Sequence, residues 1–257
     1  MKVTVCQLNN DIVQLKKDWE ELVSHCHLNN SELILLPEMP FYPWIANQPT
    51  ISESKKSNAI KSHEEWIKRF DELGDAIVAY SKPEINQGKF LNTAYIWTKK
   101  NGHKKVHTKH FFPEEEGFYE ETWFDRESKN FEIIEINGVK IGFLLCTEIW
   151  FTQYTRKYGL DGIDFLLSPR ATAKSSVDQW LRCGQTSAVI GGCYSLSSNR
   201  AGIGENNFVW GGTGWISQPG DGELLGITSN KTPFLTLELD LIKRKSAKEE
   251  YPIYVKE

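Results

Sequence analysis

The sequence is poor in sulfur, with five cysteines and two methionines among its 257 residues. The cysteines are odd in number, lie at scattered spacings and form no Cys-x-x-Cys pair. Neither a disulfide framework nor a zinc knuckle is indicated, and a reducing compartment fits. Long apolar runs are missing as well: none approaches the ~20 residues of a membrane-spanning helix. No sign of charge predominates, since 30 Lys and Arg against 34 Asp and Glu leave a formal net charge of −4. Without a basic stripe, general nucleic-acid binding is disfavoured, and Lys243–Arg244–Lys245 reads as a solvated helix end. Pro/Ser-rich linkers, internal repeats and low-complexity segments are also absent, so residues 1–257 read as one domain with one sizeable core. Met1–Lys2–Val3–Thr4–Val5 starts a strand at once and leaves no room for a signal peptide, and the expected compartment is cytoplasmic. The cluster Gly211–Gly212–Thr213–Gly214 lacks the G-x-G-x-x-G order and no clear helix follows it, which makes a nucleotide site a poor reading.

What is present is a succession of strands and amphipathic helices. Residues 1–8 read as a strand. Asp11 then caps a helix whose Leu15, Trp19, Leu22, Val23 and Cys26 share one face. The strand of Leu33 to Leu36 completes a β-α-β unit with a right-handed crossover. Residues 58–73 give a second helix through Ile60, Trp66, Ile67, Phe70 and Leu73. Strands are expected at 76–80, 91–97 and 104–107, with Asn101–Gly102 as a tight turn, and at 131–136 and 139–145 around Asn137–Gly138. A strand at 163–167 precedes a helix with a capping box from Ser175 and Asp178 and an apolar face of Val177, Trp180, Leu181, Gly184 and Ala188. Strands at 193–197, 207–216, 223–226 and 234–239 follow. Crossovers mixed with hairpins imply mixed sheets with helices outside.

Three of the apolar strands end on reactive groups. Leu33–Leu36 runs through Pro37 to Glu38, Val106–Thr108 runs to Lys109, and Val139–Leu145 ends at Cys146 where a strand turns into a helix. Such a turn holds a side chain at the top of a sheet and aims backbone N–H groups at what it attacks. A cysteine at a strand end is equally compatible with an inert core thiol. The other two strands change that balance.

In these residues the chain resembles the nitrilase superfamily, the carbon–nitrogen hydrolases that act on amides, carbamoyl groups and nitriles through a Glu–Lys–Cys triad. The matching segments are Leu35–Leu36–Pro37–Glu38, His107–Thr108–Lys109 and Leu145–Cys146–Thr147–Glu148, with support from Val5–Cys6–Gln7, Asn92–Thr93–Ala94 and Ser198–Asn199–Arg200. Each motif is short, but their order and spacing extend the match over nearly the whole chain. The resemblance implies a four-layer α-β-β-α sandwich of two mixed sheets with outer helices, no metal or organic cofactor, a small-molecule amide substrate, and a homodimer or higher homo-oligomer. The apolar segment Tyr251–Pro252–Ile253–Tyr254–Val255 is expected to serve as an exchanged or docked tail.

Amide and nitrile carbons are weak electrophiles, so their hydrolysis needs a strong nucleophile and stabilisation of the negative charge that forms. A thiol is mostly protonated at neutral pH and needs a base or a nearby cation. Glu38 is the expected base, Cys146 the nucleophile, and Lys109 with the Thr147 backbone N–H the oxyanion donors. Relatives place a second glutamate near the lysine. Gly117–Phe118–Tyr119–Glu120 resembles the carbamoylputrescine-amidase branch and favours Glu120, whereas Glu116 resembles the aliphatic-amidase position; Glu114 and Glu115 read as solvated.

Carbamoyl-amino-acid hydrolases of the family carry an arginine shortly after the nucleophile, where this chain has Glu148, Ile149 and Trp150, so that substrate is disfavoured. Arg170, at the end of the next strand, is expected either to bind an anionic substrate group or to pair with Glu148. Trp44, Trp150 and Phe151 would wall the pocket. Hydrolysis of a linear amide or N-carbamoyl amine is favoured, with a nitrile as the alternative, since both pass through a cysteine adduct. From other classes, a metallohydrolase built on His103, His107 and His110 with Glu114–Glu116 is opposed by the spacing, which would put His107 and His110 on opposite faces of a strand. A non-catalytic binding protein is opposed by three filled triad positions.

Overall fold

Asp11 acts as its position after the first strand predicts: its carboxylate accepts the Val13 and Gln14 amides at 3.0 and 2.9 Å. This cap starts helix α1 (Ile12–Asn29) directly after strand β1 (Lys2–Asn9), and Asn30 in the left-handed region at φ 53° ends it before β2 (Leu33–Leu35). The structure, a computed structural model, describes residues 1–247, 249 and 251–255, without the side chains of 244–246. The chain continues through α2 (Glu53–Ile67), β3 (Ile77–Asn86), β4 (Lys89–Thr98), β5 (Gly102–Thr108), the short pair β6 (Glu114–Glu115) and β7 (Phe118–Tyr119), and α3 (Glu120–Trp123). Then come β8 (Ile134–Ile136), β9 (Val139–Phe143), α4 (Thr152–Asp161), β10 (Phe165–Arg170), α5 (Val177–Gly191) and β11 (Tyr194–Ala201). Finally β12 (Trp215–Ser217), β13 (Leu224–Ile227), β14 (Phe234–Glu238) and α6 (Leu241–Ala247) close the described chain.

Apart from the β6-β7 pair, the strands form two sheets, one in the order β5-β4-β3-β2-β1 with β14 on the other edge of β1, and one in the order β8-β9-β10-β11-β12-β13. They are joined at a corner, because β1 pairs with β14 through Lys2–Cys6 and then with β11 through Gln7–Asn9. Alternation along β1 explains the layering. Val3 and Val5 point between the sheets, with Leu35 and Ala79 beside them and Phe143, Leu167 and Leu196 in the same apolar layer. Cys6 faces outward, with Ile34 and Val78, onto Trp19 and Leu22 of α1 and Trp66 of α2. On the other side Leu144 and Leu166 pack on Tyr158 of α4 and Cys183 of α5. The result is the α-β-β-α sandwich that the resemblance implied.

Direction decides where the site lies. Strands β1, β2 and β3 run parallel, and β5 is antiparallel to β4, itself antiparallel to β3, so β5 ends at the same end as β2. Strands β9, β10 and β11 are parallel to one another, and β11 is parallel to β1. The residues after β2, β5 and β9 therefore converge at one end of the sandwich.

Several local expectations change. The Ser175/Asp178 capping box does not form: Ser176 occupies the N-cap of α5 without a side-chain cap, its hydroxyl bonding the Ala173 carbonyl and Trp180 Nε1 instead. The strand expected at 131–136 shrinks to β8, and most of the one expected at 207–216 is irregular, leaving β12. Gly212 and Thr213 adopt φ of 53° and 57°, which breaks any extended run there and wraps the segment around Asn199. Asn137–Gly138 is the expected hairpin turn, both residues at positive φ. Of Lys243–Arg244–Lys245, Lys243 is exposed on α6 and reaches Gln218, while the other two side chains lie outside the description.

Candidate active site

Glu38 follows β2 by a short extended segment. Its backbone is pinned by two neighbouring strands of the second sheet, β10 and β11: the Glu38 amide donates to the Arg170 carbonyl at 3.2 Å, and Arg200 Nε donates to the Glu38 carbonyl at 3.1 Å. Arg200 also binds the carbonyl of Met39 and, at 2.7 Å, the side-chain oxygen of Asn10. The side chain of Glu38 is fully buried, and its Oε1 accepts Lys109 Nζ at 2.8 Å and Asn92 Nδ2 at 2.8 Å. Its Oε2 has no hydrogen-bond partner among the described residues.

Lys109 extends β5 by one residue, its amide held by the Asn92 carbonyl at 2.9 Å. The ammonium, wholly buried, donates to Glu38 and also to Glu120 Oε2 at 2.6 Å. Burial opposes its charge, but Glu120 and Glu38 outweigh that and hold Lys109 above the usual lysine range. Burial pushes the Glu120 carboxyl up to about 8 against the pull of Lys109, with Glu38 adding to the rise. One ammonium thus faces two carboxyl groups, and the raised Glu120 carboxyl holds its proton near neutral pH. Glu116, the rival for the second carboxylate, is exposed on a loop and is not part of this cluster.

Cys146 begins a single-turn helix that follows β9, at φ 48°. A non-glycine residue held there costs about 1–3 kcal/mol, which surrounding structure must over-determine. Its thiol is buried, with the Ala171 carbonyl at 4.0 Å. Burial and the neighbouring Glu38 push the thiol well above the usual range while Lys109 pulls the other way, so the resting sulfur is protonated. Cys146, Thr147 and Glu120 line a cleft of about 330 Å3 walled by Phe118, Trp180 and Phe208. A neighbouring chamber of about 370 Å3 shares Glu116 and Phe208 with it and is lined by Trp44 and Trp210.

The remaining expected residues lie elsewhere. Arg170 is buried beneath the site, bonded to Ser197 Oγ at 2.7 Å, Thr172 Oγ1 at 3.0 Å and the Thr213 carbonyl at 2.7 Å, and it lies 4.1 Å from the centre of the Trp215 ring. Gly184 leaves room for that ring, since a Cβ there would lie 2.3 Å from Trp215. Arg170 does not pair with Glu148, whose carboxylate is taken by His107 and the His110 amide at 2.6 and 2.7 Å. Glu148 is fully buried outside the cleft, and Trp150 is half-exposed on a separate surface groove beside Cys183. Phe151 stacks on Phe111 at 3.9 Å instead of walling the pocket. Trp44 borders the second chamber, donating Nε1 to the Gly117 carbonyl at 3.1 Å. The sequence reading missed Trp180 as a wall, because its helical spacing marks it as core, and missed Asn92 as the second donor to Glu38 although its motif was in view. His103 bonds Tyr80 at 2.8 Å while His107 bonds Glu148, and no group of three or more metal-ligating side chains occurs among the described residues. No helix among them is long and apolar enough to cross a membrane.

Comparison with known proteins gives the family and the fold. Residues 2–247 match the family model described as carbon-nitrogen hydrolase. N-carbamoylputrescine amidase of Arabidopsis thaliana is 24% identical over 246 residues, covering 88% of this chain and 82% of that protein. Among solved structures, a carbon-nitrogen hydrolase from Helicobacter pylori G27 superposes with a TM-score of 0.86 at 20% identity, covering 98% and 94% of the two chains. A mutant of the amidase from Nesterenkonia sp. AN1, which carries the acetamide moiety of fluoroacetamide on its active-site cysteine, superposes with a TM-score of 0.75 at 17% identity, covering 96% and 92%.

Proposed function

The chain belongs to the carbon–nitrogen hydrolase family and is a hydrolytic enzyme of amide-type bonds, and from that premise we propose that it cleaves a linear amide or N-carbamoyl amine through a thioester on Cys146. The observation that carries this reading is the buried Lys109 ammonium bonded to both Glu38 and Glu120 beside a left-handed Cys146 that opens on the cleft.

In the first half-reaction Glu38 takes the thiol proton. Oε1 is already saturated by Lys109 and Asn92, so the unpartnered Oε2 is the oxygen for that proton. The sulfur attacks the carbonyl carbon, and the oxyanion is met by the Lys109 ammonium and the Thr147 backbone N–H. Glu38 returns the proton to the departing nitrogen, and ammonia or an amine leaves. In the second half-reaction the same carboxylate activates water against the thioester, and the sulfur leaves with the proton. Glu120 orients the ammonium, and as an acid with a raised pKa it lets Lys109 keep its charge without two full negative charges beside it. The unreacting part of the substrate extends past Phe208 into the chamber bordered by Trp44 and Trp210. A ureido substrate is favoured by the similarity to N-carbamoylputrescine amidase.

Ammonia release measured over a panel of linear amides, N-carbamoyl amines and nitriles tests the substrate class. Cys146→Ala is expected to abolish turnover with the fold intact, and mass spectrometry of the wild type with substrate should show an acyl adduct on Cys146. Substantial ammonia release by Cys146→Ala would overturn the assignment.

A further inference from the structure

Glu148 takes part in none of these steps, yet its carboxylate lies where the two segments they depend on meet. Oε2 accepts the Leu145 amide at 2.9 Å and meets His107 Nε2 at 2.6 Å, while Oε1 accepts the His110 amide at 2.7 Å. Leu145 immediately precedes Cys146, and His107 and His110 bracket Lys109. We propose that Glu148, braced by His107, is a positioning residue that fixes Cys146 against Lys109. The proposal rests on the nucleophilic role of Cys146 and the oxyanion role of Lys109 given above.

The sheet topology supplies the need. Strands β5 and β9 lie towards opposite ends of the hydrogen-bonded strand order, with β4, β3, β2, β1, β11 and β10 between them. The backbone ladders therefore carry the relation between Lys109 and Cys146 only through many strand pairs. Glu148 provides a direct tie across the sandwich. It is also suited to a strained turn: Cys146 sits at φ 48°, and the bond from the Leu145 amide to a carboxylate holds the residue that enters that turn.

The proton count shows why this cluster is specific. His107 Nδ1 lies 3.0 Å from the Asn130 carbonyl, which can only accept, so Nδ1 carries a hydrogen. The contact between Nε2 and Oε2 then holds one further proton, on either the imidazole or the carboxyl. Both side chains are out of reach of solvent, at 1% and 0% exposure, so water does not replace a lost partner. A glutamine at 148 has a single acceptor oxygen. In either orientation its NH2 faces a backbone N–H, that of Leu145 or that of His110, and one side of the tie is lost.

The test compares Glu148→Gln, His107→Phe and His107→Gln with the wild type for kcat, KM and Tm. Glu148→Gln and His107→Phe are expected to lose about 10²-fold in kcat, the effect of displacing reacting groups by roughly 1 Å, with KM changed by less than about threefold. His107→Gln, which keeps a donor towards Glu148, is expected to regain at least about tenfold in kcat over His107→Phe. Folded variants, melting above the assay temperature, that keep kcat within about threefold of wild type would overturn the proposal, as would a His107→Gln enzyme no better than His107→Phe. If Glu148→Gln does not fold, the two His107 variants decide. Cys146→Ala assayed alongside separates the two readings: turnover retained there sinks the nucleophile assignment, whereas turnover lost there with unaltered kcat in the other variants sinks only the positioning role.

Discussion

Replacing Lys109 with methionine tests the site on catalysis and stability together. The substitution keeps an apolar stem of similar length and removes the ammonium that Glu38 and Glu120 both bind, at 2.8 and 2.6 Å. If that ammonium meets the oxyanion, kcat and kcat/KM should fall together by about 10²–10³, equivalent to about 2.7–4 kcal/mol for one lost donor. Stability should fall as well, because removing one partner of a buried ion pair costs about 3–5 kcal/mol where the remaining charge stays buried. The cost depends on pH. The folded Glu120 carboxyl titrates at about 8 against an ordinary 4.5, so the folded state holds an extra proton across that window and stability declines as pH rises through it. Without Lys109, which pulls Glu120 down, the decline continues to higher pH. The Tm deficit of Lys109→Met relative to wild type should therefore be larger at about pH 9 than at about pH 5. Adding Glu120→Gln should recover part of the alkaline deficit and none of the activity. Lys109→Arg should not rescue turnover, since a planar guanidinium cannot occupy the point position of an ammonium. The assays are ammonia release and thermal unfolding at the two pH values. A loss of less than about tenfold in kcat/KM, or a Tm deficit equal at both pH values, would refute the reasoning.

Iodoacetamide should modify Cys146 ahead of Cys6, Cys26, Cys183 and Cys193, because Cys146 alone lines the cleft and has Lys109 beside it; equal labelling of several cysteines in the native protein would count against an activated thiol. Glu120→Gln should slow deacylation more than acylation and raise the steady-state thioester on Cys146, while Glu116→Gln leaves acylation and deacylation unchanged; the reverse ranking by single-turnover kinetics would move the second carboxylate to Glu116. At the C-terminus Ile253 is buried against Gly192 and Arg156 Nη1 binds the Pro252 carbonyl at 2.9 Å, while Tyr251, Tyr254 and Val255 stay exposed. Those side chains are expected to be covered in at least a dimer, and light scattering that reports a monomer at micromolar concentration would remove the idea.

Residues in the chain that obey one local rule were legible in advance. The β-α-β opening, the Asp11 cap and the Asn137–Gly138 turn follow from alternation, cap chemistry and φ preference, and each is found in place. Glu38, Lys109 and Cys146 were marked by apolar strands that end on a reactive group. The stretch at 207–216 is rich in aromatic and β-branched residues, which suits a strand, but positive φ at Gly212 and Thr213 is incompatible with a ladder. The fates of Glu148 and Arg170 could not be read at all. Both end up fully buried, and which partner a buried charge takes depends on groups brought near by folding, here His107 for the one and Ser197, Thr172 and the Thr213 carbonyl for the other.

The sequence by itself determined the succession of strands and helices and marked Glu38, Lys109 and Cys146 as strand-end candidates, because strand periodicity and strand ends are properties of short segments, while the layered sandwich was implied by the family resemblance. Only the tertiary structure decided that Glu120 and not Glu116 reaches Lys109, that Trp180 and Phe208 wall the cleft while Trp150 lies outside it, and that Glu148 ties the turn at Cys146 to the segment that carries Lys109. These are contacts between segments far apart in the chain, set by strand order and by the crossing of two sheets, and no local pattern of residues encodes the distance between them.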